Sequence, residues 1–274
     1  MKMSRFNTNY EKADSPHRNY KGICFNEDGA EALLRNQVKN KLLDQPQRDE
    51  LLNYLTTLEQ DTGFQKSETL LIDIQSLQNQ EVDVQNFRIG EAVAEVILEE
   101  NFSCRFYWNE LRDARNPRGN KTGADLVGFI EIDNEILFLF GEVKTSSEQK
   151  SPPQVMTNAG GIEYQLKDLY NDHQKRLILI SYIKSKIGLV DSEGFKQDFD
   201  NAIKNYYKQN STNYMLYGVL VRDTNPDEND IKLSYEKLKA EILEPTGLKL
   251  LAIYLPISKE KWLTVINGEQ NETN

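Results

Sequence analysis

Two apolar stretches, GADLVGF at residues 123–129 and FLFGEVKT at residues 138–145, decide the fold of this chain. Both are rich in branched and aromatic residues, which favour β-strands, and Asp133 and Asn134 between them are turn-forming residues. The pattern therefore predicts a β-hairpin. In its second strand Glu142 and Lys144 are two residues apart, so both side chains point to the same face of the sheet.

Asp125 stands near the start of the first strand of this hairpin. If it lies across from Glu142 and Lys144, two carboxylates and one ammonium converge at one point. Two close carboxylates repel each other unless a cation lies between them. Because oxygen ligands suit magnesium or manganese rather than zinc, the spacing predicts a divalent-cation site at Asp125 and Glu142. The alternative is structural: Asp125 caps a turn, and Glu142 forms an ordinary ion pair.

The order of these residues resembles the PD-(D/E)XK nuclease superfamily, in which an Asp precedes a Glu-x-Lys motif across a hairpin. Asp125 matches the Asp and Glu142-Val143-Lys144 match the motif, although no Pro precedes Asp125. The resemblance implies a restriction-endonuclease-like core that hydrolyses DNA with Mg²⁺ or Mn²⁺. It further implies that Asp125, Glu142 and the carbonyl of Val143 bind the metal. Lys144 would then stabilise charge on the phosphate or orient the attacking water.

A helix precedes the hairpin, since the apolar residues from Phe87 to Glu99 recur at helical spacing. The superfamily often places a further Glu on such a helix, which implies a site role for Glu91 and makes Glu95, one turn later, a second candidate. The macrodipole alone also favours a Glu early in a helix. On the helix after the hairpin, the resemblance also makes Gln165 and Lys167 candidates for contact with the metal-bound water or the phosphate, although an exposed helical face is the expected place of Lys167.

A narrower resemblance rests on the Gly-Glu pair at residues 90–91, the DLVGF strand and the FGEVKTSS strand. Together these look like the HamA family, the nuclease subunits of Hachiman anti-phage defence systems. That resemblance implies a bacterial effector that degrades DNA in complex with a partner helicase. Two alternatives stay open: a non-catalytic interaction module that keeps the nuclease fold, and a subunit of a DNA repair or restriction complex.

The net charge of −10 argues against tight DNA binding by the isolated chain, because duplex binding draws affinity from Lys and Arg that neutralise phosphates. We therefore expect a locally basic cleft together with a partner that holds the DNA. The locally basic residues near the hairpin are Arg105, Arg112, Arg115, Arg118, Lys121 and Lys144.

Other classes of protein are disfavoured by simple features of the 274-residue chain. No apolar run is long enough to span a bilayer and the start lacks a signal-peptide core, so we expect a cytoplasmic protein without a membrane partner. Cys24 and Cys104, with two histidines, support neither a zinc site nor a disulfide framework. Gly160 and Gly161 lack the lysine of a phosphate-binding loop, so no nucleotide cofactor is expected.

The rest of the chain predicts an α/β fold, a mixed central sheet flanked by helices, with a small N-terminal helical region. Residues 30–58 carry two helices with a break between Asp44 and Gln47, and a strand is expected around Gly22–Phe25. A linker at residues 61–67 divides the chain into an N-terminal mostly helical region, 1–66, and a nuclease-like domain, 67–274. The predicted helices there are 160–172, 194–209 and 229–243, and the predicted strands 102–108, 177–183, 214–221 and 248–255.

Overall fold

The computed structural model describes residues 5–60, 67–79, 81–107, 123–188, 192–208 and 210–268. Within them a mixed sheet of seven strands has the order β1-β2-β7-β6-β5-β4-β3. The strands are β1 (Phe6–Ser15), β2 (Arg18–Phe25), β3 (Cys104–Arg105), β4 (Leu126–Ile132), β5 (Glu135–Ser146), β6 (Met215–Arg222) and β7 (Gly247–Tyr254). The neighbours β2, β7, β6 and β5 run parallel, and β1, β4 and β3 join antiparallel.

Helices cover both faces of this sheet, which confirms the predicted α/β class. They are α1 (Glu27–Leu33), a π-helical turn (Leu34–Val38), α2 (Lys39–Leu42), α3 (Gln45–Gln60), α4 (Glu68–Gln78), α5 (Asn86–Asn101), α6 (Gln154–Thr157), α7 (Ile162–Asn171), α8 (His173–Lys186), α9 (Glu193–Lys208), α10 (Lys232–Glu241) and α11 (Trp262–Asn267), with 3₁₀ turns at Glu228–Asp230 and Lys259–Lys261. In the described part of the chain, none of these helices is long and apolar enough to cross a membrane.

The predicted hairpin is β4 and β5, joined by a two-residue turn. Asp133 and Asn134 have φ of 52° and 64°, the left-handed conformation that such turns demand and that Asp and Asn tolerate best. Alternate residues of β5 then serve two different cores. Leu139 and Val143 face the core that includes α5, whereas Phe138 and Phe140 face the core that includes α7, α8 and α9.

One predicted strand is wrong: residues 177–183 lie inside the helix α8. Asp172 caps this helix, its side chain accepting a hydrogen bond from the backbone N–H of Lys175 at 2.9 Å. The buried residues Leu179, Ile180 and Ile183 recur at helical spacing and pack on the sheet. A short unbroken apolar run fits a buried strand or a buried helix equally well, and here packing overrides the strand propensity of the branched residues.

The N-terminal segment contributes more to the sheet than the sequence predicts. The strand expected around Gly22–Phe25 is the end of β2, which pairs with β1 and also runs parallel to β7 from Arg18 to Cys24. β1 is mostly exposed and polar, so it lacks the alternation that marks a half-buried strand. β3 is shorter than the predicted 102–108, and residue 108 lies outside the described residues.

The predicted break in the N-terminal helices is confirmed, since α2 ends at Leu42, Asp44 has a φ of 49°, and α3 begins at Gln45. The linker at residues 61–66 lies outside the described residues. The division of the chain at residue 66 therefore stays a prediction. In the described structure, β1 and β2 on its N-terminal side belong to the same sheet as the hairpin.

Candidate functional site

The structure brings Asp125, Glu142 and Lys144 together at the open end of the β4–β5 hairpin. Leu126 pairs with Gly141, which places Asp125 opposite Glu142 on the same face of the sheet. The backbone N–H of Asp125 donates to the carbonyl of Gly141 at 3.0 Å, and Asp125 Oδ2 accepts from the N–H of Val143 at 3.0 Å. Lys144 Nζ donates to Glu142 Oε1 in a close ion pair.

Glu142 is held in an unfavourable environment for a charged carboxylate. It is only 6% exposed, and burial followed by the negative charge of Asp125 raises its pKa from 4.5 to about 7. Lys144 opposes that shift without cancelling it. The three side chains thus carry two carboxylates against one ammonium, an arrangement that favours a proton or an added cation between the carboxylates.

An apolar wall stands directly beside Glu142. Its neighbour on β6 is Gly218, where a Cβ would lie 2.6 Å from Cγ2 of Ile162 and 2.6 Å from Cδ2 of Leu250. The absence of a side chain therefore lets α7 pack onto the sheet next to the carboxylate. Sequence reasoning did not single out Gly218 or Ile162, although a lone Gly inside an apolar strand is a signal of close approach.

Glu91 lies on α5, in the layer opposite the face that carries Glu142 and Lys144. The helix backbone touches β5 at Gly90, where a Cβ would clash with Cγ2 of Thr145. Glu91 is buried and accepts a hydrogen bond from Arg88 Nη1 at 2.9 Å. Its role as a site residue stays a prediction.

The remaining helical candidates have other partners. Glu95 forms an ion pair with Lys41 at 3.0 Å, and Glu99 binds the same ammonium at 3.0 Å, which ties α5 to α2. Lys167 pairs with Glu241 of α10 at 2.6 Å, so it belongs to an ordinary surface contact. Gln165 is half-buried on α7, on the helix that forms the apolar wall.

The predicted basic stretch is only partly described. Arg105 Nη1 lies 2.8 Å from Asp198 Oδ1, and Arg105 Nη2 forms a close pair with Glu131. Two carboxylates therefore compensate this guanidinium. Arg112, Arg115, Arg118 and Lys121 lie outside the described residues, so the basic cleft stays a prediction.

The donor set at the hairpin fits a hard cation. Among the described residues, no group of three or more His, Cys, Asp and Glu side chains could hold a metal. At the hairpin the carboxylate oxygens come from two residues, Asp125 and Glu142. Magnesium characteristically binds through one or two carboxylates and keeps several waters. The paired carboxylates and the raised pKa of Glu142 are consistent with that chemistry.

Comparison with known proteins identifies the family. A family model described as HamA matches residues 6–263, a span that includes both N-terminal strands, the hairpin and its three charged residues. No curated protein matches the chain. The chain therefore belongs to the HamA family of Hachiman anti-phage defence systems.

Proposed function

We propose that this chain is a metal-dependent deoxyribonuclease and acts as the nuclease subunit of its Hachiman system. The observation that carries the proposal is the convergence of Asp125, Glu142 and Lys144 on one face of the hairpin. Membership of the HamA family supports it, and so does the order of these residues, which resembles the PD-(D/E)XK motif. The reaction would be hydrolysis of a phosphodiester bond in DNA.

Asp125, Glu142 and the carbonyl of Val143 would hold Mg²⁺ or Mn²⁺. When bound, such a cation supplies Lewis-acid polarisation of the phosphodiester. Asp125 is oriented for this role because the N–H of Val143 fixes one of its oxygens at 3.0 Å. The apolar wall of α7 limits water around Glu142, which strengthens every electrostatic interaction at that carboxylate.

Lys144 is the member of the trio that a phosphate can reach. Its side chain is 27% exposed, whereas that of Glu142 is nearly buried. Glu142 holds the ammonium at the edge of the site, where it can donate a hydrogen bond to a phosphate oxygen. A preorganised donor of this kind stabilises the charge that builds up in the transition state. Glu91 of α5 pairs with Arg88 in the opposite layer, so a catalytic role for it needs its own test, the cleavage rate of Glu91→Gln.

The charge of the chain indicates that another protein helps it to hold DNA. A net charge of −10 disfavours long-range attraction of a polyanion, and Arg105 is already compensated by two carboxylates. We therefore propose that a partner protein binds the DNA and delivers it to the β4–β5 hairpin, and the resemblance to HamA proteins implies that this partner is a helicase. The isolated chain should bind duplex DNA weakly, with an affinity that falls further at physiological salt.

Plasmid degradation in the presence of the partner tests the activity. With Mg²⁺, Glu142→Ala or Lys144→Ala should each lower the cleavage rate by two to three orders of magnitude, about 3 to 4 kcal/mol of transition-state stabilisation. Lys12→Ala is the matched control, because it removes an exposed lysine of β1 at the far edge of the sheet and should leave the rate unchanged. A chelator should stop cleavage by the wild-type chain.

The non-catalytic alternative makes the opposite forecast. Cleavage near the wild-type rate after either substitution, or cleavage that ignores the chelator, would contradict the nuclease proposal. Circular dichroism and partner binding of the variants must match the wild type, so that a lost activity cannot come from unfolding. If those controls hold and the proposal fails, the chain is an interaction module with a nuclease-like fold.

A further inference from the structure

Helices α3 and α4 form a helical hairpin, separate from the β4–β5 hairpin, and this helical hairpin packs chiefly on itself. α3 contacts α4 and, close to the break at Asp44, α2. Leu70 and Ile74 of α4 are buried, yet of the described residues in these two helices none belongs to either core of the sheet. Arg48 of α3 donates a hydrogen bond to the carbonyl of Leu77 and so joins the two helices.

This hairpin carries a concentration of exposed apolar side chains. Four of the ten large hydrophobic residues that stand exposed in the described structure lie in these helices, which have only 16 and 11 residues. They are Leu51, Tyr54, Leu71 and Ile72, and together we call them the hairpin surface. Tyr54 is 62% exposed and Ile72 is 57% exposed. Residues of this size gain most when a partner covers them.

Acidic residues flank the hairpin surface. Glu50 stands one turn before Tyr54, and Glu68 one turn before Ile72, so each carboxylate lies beside an exposed apolar side chain. Asp49 and Asp73 are exposed on the same two helices. The basic residue of α3, Arg48, is engaged with the Leu77 carbonyl. The two helices therefore expose apolar side chains with acidic residues beside them.

We propose that the hairpin surface is the docking site for a protein segment in which Lys or Arg residues flank apolar side chains. Charge complementarity selects this occupant, because basic residues would meet Glu50 and Glu68 while apolar residues cover Tyr54 and Ile72. The partner helicase of the proposed function is the protein that supplies this segment, and in that respect the inference rests on the proposed function.

Other occupants fit the same surface poorly. Duplex DNA and anionic lipid are both negatively charged, so Glu50, Glu68 and their acidic neighbours repel them. A second copy of this chain in a two-fold contact would bring two copies of this acidic surface together. A heterologous basic partner relieves this repulsion and buries the exposed apolar area.

Affinity for the Hachiman partner protein, measured by calorimetry without DNA, tests the docking site. The double variant Tyr54→Ser, Ile72→Ser should weaken binding by at least about 30-fold, the effect of losing one or more interface hot spots. The control Leu233→Ser, Leu243→Ser removes two equally exposed leucines of another region and should change affinity less than about twofold. Thermal unfolding should show all these chains folded.

Charge reversal gives a second, independent arm. Glu50→Lys, Glu68→Lys should weaken partner binding at low salt and remove most of its salt dependence. Unchanged affinity in both the apolar and the charge variants would overturn the docking site. Light scattering that shows a wild-type dimer, lost in the Tyr54→Ser, Ile72→Ser variant, would overturn it in favour of a second copy.

These measurements report binding of the partner protein and not cleavage of DNA. A chain that binds the partner through the hairpin surface but cleaves no DNA contradicts the proposed nuclease activity and leaves the docking site intact. Cleavage that depends on Glu142 and Lys144, together with unchanged binding by the hairpin variants, contradicts the docking site alone.

Discussion

Two charged clusters lie on the same face of the central sheet, and they are built in opposite ways. The first is Asp125, Glu142 and Lys144 at the hairpin. The second is Arg222 with Asp230, and it stands a short distance along the same strands, since Glu142 pairs with Gly218 and Arg222 comes four residues later on β6. Each cluster contains a buried charged side chain, Glu142 in the first and Arg222 and Asp230 in the second, so burial of a charge alone does not separate them.

The second cluster balances its charges one to one. Arg222 and Asp230 are both buried and form a close ion pair. The hydroxyl of Tyr254 lies 2.8 Å from the other oxygen of Asp230, and Arg222 Nη2 donates to the carbonyl of Glu148. Such a network has no surplus charge to offer a ligand, and it joins the end of β6 to the chain that follows β5. Its role is structural.

The first cluster keeps an imbalance that folding alone does not require. Two carboxylates, Asp125 and Glu142, stand against the single ammonium of Lys144, which pairs with Glu142. The pKa of Glu142 is raised to about 7 as a result of burial and of the Asp125 charge. Perturbed groups of this kind concentrate at functional sites. Uncompensated charge, rather than buried charge, therefore marks the candidate site.

The largest effect on stability should come from breaking the balanced cluster. Asp230→Ala leaves the guanidinium of Arg222 buried without its carboxylate, which should lower the free energy of unfolding by about 3 to 5 kcal/mol. Urea denaturation measures this change. Glu236→Ala, which removes an exposed ion pair with Lys12, is the control and should cost less than about 1 kcal/mol. Equal losses in the two variants would show that Asp230 is no structural anchor.

Removing charge from the unbalanced cluster should have the opposite sign. A carboxyl whose pKa rises from 4.5 to about 7 on folding destabilises the folded state increasingly as pH rises between those values, and fully above them. Glu142→Gln should therefore raise the free energy of unfolding at pH 8 by about 1 to 3 kcal/mol, minus the stabilisation lost with the Lys144 ion pair. At pH 4 that gain should disappear.

Urea denaturation at both pH values, with a chelator present, measures the difference. The exposed Glu236 serves again as the reference site, and Glu236→Gln should show no such pH-dependent gain. A gain in Glu142→Gln that is equal at pH 4 and pH 8 would mean that the raised pKa of Glu142 does not govern stability.

The first cluster was predictable from sequence because it is local. Asp125 and Val143, which share a hydrogen bond, are 18 residues apart, and the turn residues Asp133 and Asn134 specify the register between them. The period of two then places Glu142 and Lys144 on one face. No contact from a distant part of the chain is needed to bring the three charges together.

Other features depend on contacts that no local pattern contains. Arg105 and Asp198 are 93 residues apart. Arg105, predicted as part of a basic cleft, is therefore compensated by a carboxylate of the distant helix α9. The apolar run in α8 has no period that distinguishes a buried strand from a buried helix. The surface on which it packs decides that it folds as a helix. The polar edge strand β1 forms only because β2 and β7 offer it a sheet to join.

The smallest predicted effect is stabilisation by a divalent cation, to which only the unbalanced cluster should respond. Mg²⁺ at about five times its dissociation constant for the folded chain should stabilise that chain by about 1 kcal/mol, seen as a small rise in the unfolding temperature by calorimetry. Asp125→Asn keeps the shape of the side chain but removes one of the two negative ligands, so the rise should vanish. Glu236→Ala should keep it, since Glu236 lies on the exposed surface beside Lys12. A rise that persists in Asp125→Asn would place the cation elsewhere, and the imbalance at the hairpin would then need a different explanation.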